Sequence, residues 1–107
     1  MIQSKEDFNK EIKAHTGVLF YFATTSCSVG EALEPKVRAL LKENFPKLMF
    51  RFIDMNQAPE LSAAHQVFVE PTILLYIEGK EYLRKSRHIG LSELDMAISR
   101  IYDLAFK

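Results

Sequence analysis

Residues 18–23 read VLFYFA, six apolar or aromatic side chains in a row without a charge. Gly17 precedes the run and Thr24-Thr25-Ser26 follows it. A short stretch this rich in β-branched and aromatic residues reads as a strand buried on both faces, the habit of a sheet covered by helices on either side. Directly beyond it stands Cys27, the chain's single cysteine.

The flanking sequence supplies the covering layers. Ser4, with Asp7 three positions on, reads as the cap of a first helix with Phe8, Ile12 and Ala14 on its apolar side, ended by Gly17. Thr24, Thr25 and Ser26 are cap candidates for a second helix, with Glu31 and Glu34 in its first turns. Leu33, Val37, Leu40 and Leu41 recur at helical spacing there, and Pro35 within the pattern is expected to kink the helix. Phe45-Pro46 closes it. A second strand is expected at 48–54 and a short helix from Pro59 through Gln66. A hairpin follows, with arms at 73–77 and 82–89 and a turn at Glu78-Gly79-Lys80. The second arm carries Arg84, Lys85, Arg87 and His88, as a solvated edge strand would. Gly90 breaks the chain. Ser92 is then expected to cap a last helix with the stripe Leu94, Ala97, Ile98, Ile101 and Tyr102. The order α-β-α-β-α-β-β-α implies an α/β fold with one mixed sheet.

The totals narrow the function classes. A chain of 107 residues is one domain's worth and should bury about two-thirds of its unfolded surface. Fourteen basic and fourteen acidic residues leave no net field toward nucleic acid or an anionic membrane. No run approaches the roughly 20 apolar residues of a membrane span, and MIQSKEDFNKE lacks a signal peptide's apolar stretch. One cysteine cannot form an intrachain disulfide or a Cys-based zinc site, and a reducing, cytoplasmic setting fits it. His15, His65 and His88 form no metal motif, so no metal or cofactor is expected.

In this order of elements, Cys27 at the strand-to-helix junction resembles the thioredoxin fold. Pro35, eight residues after Cys27, stands where thioredoxins kink the active-site helix. Val69-Glu70-Pro71-Thr72 followed by ILLYIEGKE is similar to the family's cis-proline segment, strand and glycine turn, and Gly90 resembles the glycine before the last helix. The resemblance spans almost all of residues 1–107 as a single domain. It lacks only most of the usual first strand, of which Met1, Ile2 and Gln3 are a remnant. It implies a central mixed sheet of about four strands flanked by four helices, with a cis bond at Pro71. The departures from the family are equally specific. The Cys-x-x-Cys motif reads Cys27-Ser28-Val29-Gly30, with Gly30 in place of the resolving cysteine. Tyr21 stands where the family buries an Asp, and Phe52 where a basic residue accompanies it.

The resemblance makes Cys27 the candidate catalytic residue, with Ser26, Ser28, Val29, Gly30, Glu70, Pro71 and Thr72 around a binding groove. A thiol at a helix N-terminus is acidified by the helix dipole and free N–H groups. A free cysteine is otherwise a small buried hydrophobe. With no second sulfur, a mixed disulfide must wait for an outside thiol. One expectation is therefore a monothiol protein of thiol redox metabolism rather than a dithiol reductase. Its partner would be a protein or peptide thiol or disulfide, or a low-molecular-weight thiol. A non-catalytic peptide- or protein-binding module is the alternative, and a disulfide-linked homodimer a third. Glu70 stands where the family is usually apolar; facing Cys27 it would raise the thiol's pKa, and the other option is a solvated side chain pointing away.

Overall fold

The run at 18–23 is the inside of the sheet. The computed structural model describes residues 2–25 and 28–106, with no side chains at 28–31. Strand β1 (Gly17–Ala23) is buried at every position. It pairs in parallel with β2 (Leu48–Asp54) and antiparallel with β3 (Thr72–Ile77), and β3 carries β4 (Lys80–Ser86) on its far edge. The sheet order is β2-β1-β3-β4. Helices α1 (Lys5–Ala14), α2 (Ser28–Asn44), α3 (Pro59–Ala64) and α4 (Leu91–Ala105) complete the α/β fold. Ile2 is buried, but neither it nor Gln3 belongs to a strand, so no remnant of a further strand forms among the described residues.

Side chains alternate across a strand, and β1 splits the core in two. Val18, Phe20 and Phe22 pack with Phe8, Ile53, Leu61 and Leu74 under α1 and α3. Leu19, Tyr21 and Ala23 pack with Val37, Leu41, Leu75, Leu94 and Ile98 under α2 and α4. Fully burying each large apolar side chain stabilises the fold by about 1.5–3 kcal/mol. Two-sided cover explains why the run lacks the polar alternation of an exposed sheet.

Local chemistry sets the element ends. Ser4 caps α1, its hydroxyl accepting the Asp7 N–H at 3.1 Å. Gly17 does not end that helix, which stops at Ala14 with His15 as its cap. A Cβ on Gly17 would lie 2.4 Å from Leu48 Cδ2 and 3.1 Å from Phe106 Cζ, so a side chain there would force Leu48 to shift. Pro35 lies inside α2. The hairpin turn is two residues, Glu78 and Gly79, both at positive φ (51° and 82°). That hand matches the strand twist, so Lys80 opens β4 rather than belonging to the turn.

Other expected boundaries move as well. Helix α3 ends at Ala64, because His65 caps it and Gln66 turns left-handed (φ 58°). Strand β4 ends at Ser86, because Arg87 also turns left-handed (φ 64°) and donates its N–H to the Pro71 carbonyl at 2.8 Å. Helix α4 begins at Leu91, with Gly90 rather than Ser92 in the cap position. Leu91 packs against the α2–α4 core, which draws it into the first turn.

Candidate functional site

The loop entering β3 meets the end of β1. The Glu70–Pro71 bond is cis. Glu70 is half-buried, and its Oε2 accepts the backbone N–H of Thr24 at 2.7 Å, linking positions 46 residues apart. A charged acceptor makes this one of the stronger hydrogen bonds in the molecule. The carboxylate is therefore turned inward onto the β1 terminus, three residues before Cys27, and the solvated orientation does not hold.

The other expected site residues divide. Ser26 and Cys27 lie outside the described residues. Ser28, Val29 and Gly30 are the first three residues of α2. Pro71 holds Arg87 through its carbonyl. Thr72 is buried, and its hydroxyl donates to the Val69 carbonyl at 2.7 Å and lies 3.2 Å from Ser86 Oγ. That hydroxyl shapes the loop rather than facing a groove.

Beneath the site, Tyr21 and Phe52 are direct register partners on β1 and β2, with stacked rings 6.1 Å apart. Tyr21 also lies 5.8 Å from the Phe50 ring and is fully buried. An aromatic pair thus occupies the positions where the resemblance puts an acid and a base.

Sequence reasoning missed two features. The backbone amide of Thr24 leaves no side-chain signature. Arg84, expected on a solvated edge, instead donates to the carbonyls of His65 (2.8 Å) and Gln66 (3.2 Å) and forms a two-point pair with Glu81. It thereby satisfies carbonyls at the end of α3. Among the described residues, no group of three His, Cys, Asp or Glu side chains is arranged to hold a metal ion. Likewise, no helix is long and apolar enough to cross a membrane.

The family model described as Thioredoxin matches residues 1–100. The chain belongs to the thioredoxin family. It is 31% identical over 93 residues to the thioredoxin-like protein YdfQ of Bacillus subtilis, covering 87% of this chain and 82% of that protein. A thioredoxin of Chlamydia trachomatis is 28% identical over 100 residues, covering 94% and 93% of the two chains. Among solved structures, Fasciola hepatica thioredoxin superposes with a TM-score of 0.80 at 30% identity, covering 89% and 91%. A mutant thioredoxin from Halobacterium salinarum reaches the same score at 19% identity, covering 99% and 88%, which speaks to the fold alone.

On the sheet's other face, this thioredoxin-family chain holds a half-buried histidine. The His65 ring lies 4.2 Å from Phe8, and its Nδ1 lies 3.3 Å from the Tyr76 hydroxyl. Burial, aided by Lys5 and Arg84 and opposed by Glu81, holds the imidazolium's pKa below the ordinary histidine value. Burial likewise pushes the Tyr76 hydroxyl up. As pH falls below about 6.5, the unfolded chain takes up the His65 proton before the folded chain does. That contribution to stability, complete at neutral pH, is then lost. The expected result is a smaller drop in Tm between pH 7.5 and 5.5 for His65→Gln than for the unmodified protein. Thermal melts across that range check it, and identical pH slopes would exclude the effect.

Proposed function

We propose that this protein is a cytoplasmic, single-domain thioredoxin-family member that works in thiol redox metabolism through one sulfur, Cys27. The observation that carries the reading is the bond between Glu70 and the Thr24 amide, because it fastens the Pro71 loop to the segment that leads into Cys27. Cys27 immediately precedes Ser28, the first residue of α2, and a helix start favours the thiolate. In this reading the backbone of Glu70 is offered to an extended peptide, bound by strand-like hydrogen bonds.

The chemistry is limited by the single sulfur. The Cys27 thiolate attacks one sulfur of a partner disulfide, forming a mixed disulfide and expelling the other sulfur as a thiolate. An external thiol must then attack that mixed disulfide, releasing Cys27 and keeping the partner's sulfur in a new disulfide. Full dithiol reduction lies outside this scheme.

The buried Tyr21–Phe52 pair favours a second reading, a module that binds in the same groove without exchange. The pair supplies no carboxylate or amine, the groups that most readily exchange a proton with a thiol near neutral pH. The pH dependence of Cys27 alkylation separates the two. Redox function is expected to give a thiolate titration below the free-cysteine value of about 8.5. A titration at or above that value would favour the binding module.

A further inference from the structure

A pocket of about 380 Å³ opens between α2 and the loop joining β4 to α4, lined by Leu33, Arg87, His88, Ile89 and Gly90. Its apolar floor is Leu33 and Ile89, and its rim carries Arg87 and His88. Both rim side chains are exposed, and neither forms an ion pair among the described residues. Arg87 is not on a loose loop. Its backbone sits at φ 64°, a conformation that disfavours most side chains, and its N–H is bonded to the Pro71 carbonyl. The backbone that carries the cation is therefore one hydrogen bond from the cis-proline. Of the nearby carboxylates, Glu70 is held by the Thr24 amide and Glu34 by Arg38 at 2.7 Å, while Glu93, close to Gly90, is exposed and pairs with neither rim cation among the described residues.

From this juxtaposition we infer that Arg87, with His88, selects partners by charge, and that the partner presents an extended acidic protein segment beside its reacting sulfur. The pocket is shallow and open, so it accommodates a passing chain rather than enclosing a small molecule. A guanidinium is always charged and binds carboxylates in two-point geometry, so it discriminates acidic from basic flanks at any physiological pH. This inference deepens the redox reading above and rests on its placement of the groove, not on the reactivity of the thiol.

Two arms test it. In the first, otherwise identical peptides with Glu or Lys flanking one cysteine are activated as mixed disulfides with 2-nitro-5-thiobenzoate. Cys27 thiolate attacks the peptide sulfur, a Cys27–peptide disulfide forms, and the nitrothiobenzoate anion leaves and is read by absorbance. The acidic peptide is expected to react faster by on the order of tenfold at low salt, with the advantage shrinking as salt rises. Arg87→Asn, which tolerates the left-handed backbone and removes the charge, is expected to abolish most of that preference with an unchanged Tm. In the second arm, the Cys27→Ser form binds the same peptides in reduced form, read by fluorescence anisotropy. A preference for acid here supports the inference even if Cys27 fails to react, in which case the redox reading alone fails. Equal binding of both peptides, or a preference that survives Arg87→Asn, overturns it. An activated glutathione disulfide reacting as fast as the acidic peptide would assign the rim to a small anionic thiol and overturn the extended segment.

Discussion

Gly30→Cys is expected to turn this protein into a catalyst of protein-disulfide reduction. The substitution converts Cys27-Ser28-Val29-Gly30 into a Cys-x-x-Cys pair, with the new sulfur on the third residue of α2. In the natural sequence, release of a mixed disulfide is bimolecular and waits on the concentration of an outside thiol. A second thiol three residues along the chain makes release intramolecular, and even modest effective molarities should raise turnover on the order of 100-fold or more. The backbone tolerates the change, since glycine is the poorest helix former after proline, by up to about 1 kcal/mol relative to alanine. Insulin reduction driven by dithiothreitol provides the measurement, with Cys27→Ser in the Gly30→Cys background as the control. If Gly30→Cys stays inactive while Cys27 still alkylates rapidly, the groove does not deliver disulfides to that sulfur. The binding module would then be the better account.

Phe20→Ala is expected to remove about 3–5 kcal/mol of stability. Phe20 is fully buried in the central strand, stacked on Phe8 with ring centroids 4.1 Å apart and edge-on to Tyr76 at 5.7 Å. Its ring ties α1 to the sheet, so truncation loses transfer free energy and leaves a cavity that β1, paired on both sides, cannot collapse to fill. Against a typical total of 5–15 kcal/mol, the loss takes a large share of the whole. Urea denaturation gives the number directly. Phe20→Leu, which keeps more of the volume but loses the ring contacts, should cost less than Phe20→Ala. A loss below about 1 kcal/mol for Phe20→Ala would mean that this face is far less tightly packed than Phe8 and Tyr76 imply.

What could be seen in the sequence was what repeats locally. The run at 18–23 announced a two-sided strand, and the spacing of Leu33, Val37, Leu40 and Leu41 announced the helix over it. Ser4 was readable as a cap because its partner, Asp7, is three positions away. The site was legible in outline only, as an order of prolines and glycines around one cysteine, and Ser26 and Cys27 lie outside the described residues. What stayed hidden depends on contacts between distant segments. The acceptor role of Glu70 involves an amide 46 residues earlier, and no local period encodes that. Arg84 looked like one more exposed charge, because a guanidinium that satisfies carbonyls at a helix end has the same letter as one in water. Ser92 lost the cap position to Gly90, since packing of Leu91 outweighed the preference for a hydroxyl.

The position of β1 between β2 and β3 has a consequence for how the chain can be divided. The central strand comes early in the sequence, and both strands that flank it come after α2. A cut between α2 and β2 would leave the first piece with β1 but no neighbour for it to pair with. The second piece would hold β2 and β3, which never touch, with an empty slot one strand wide between them. The buried side chains of both cores are divided between the pieces, so neither contains a complete core. Each is the missing part of the other, so the molecule is indivisible at its midpoint, and two such fragments could become a fold only by finding one another.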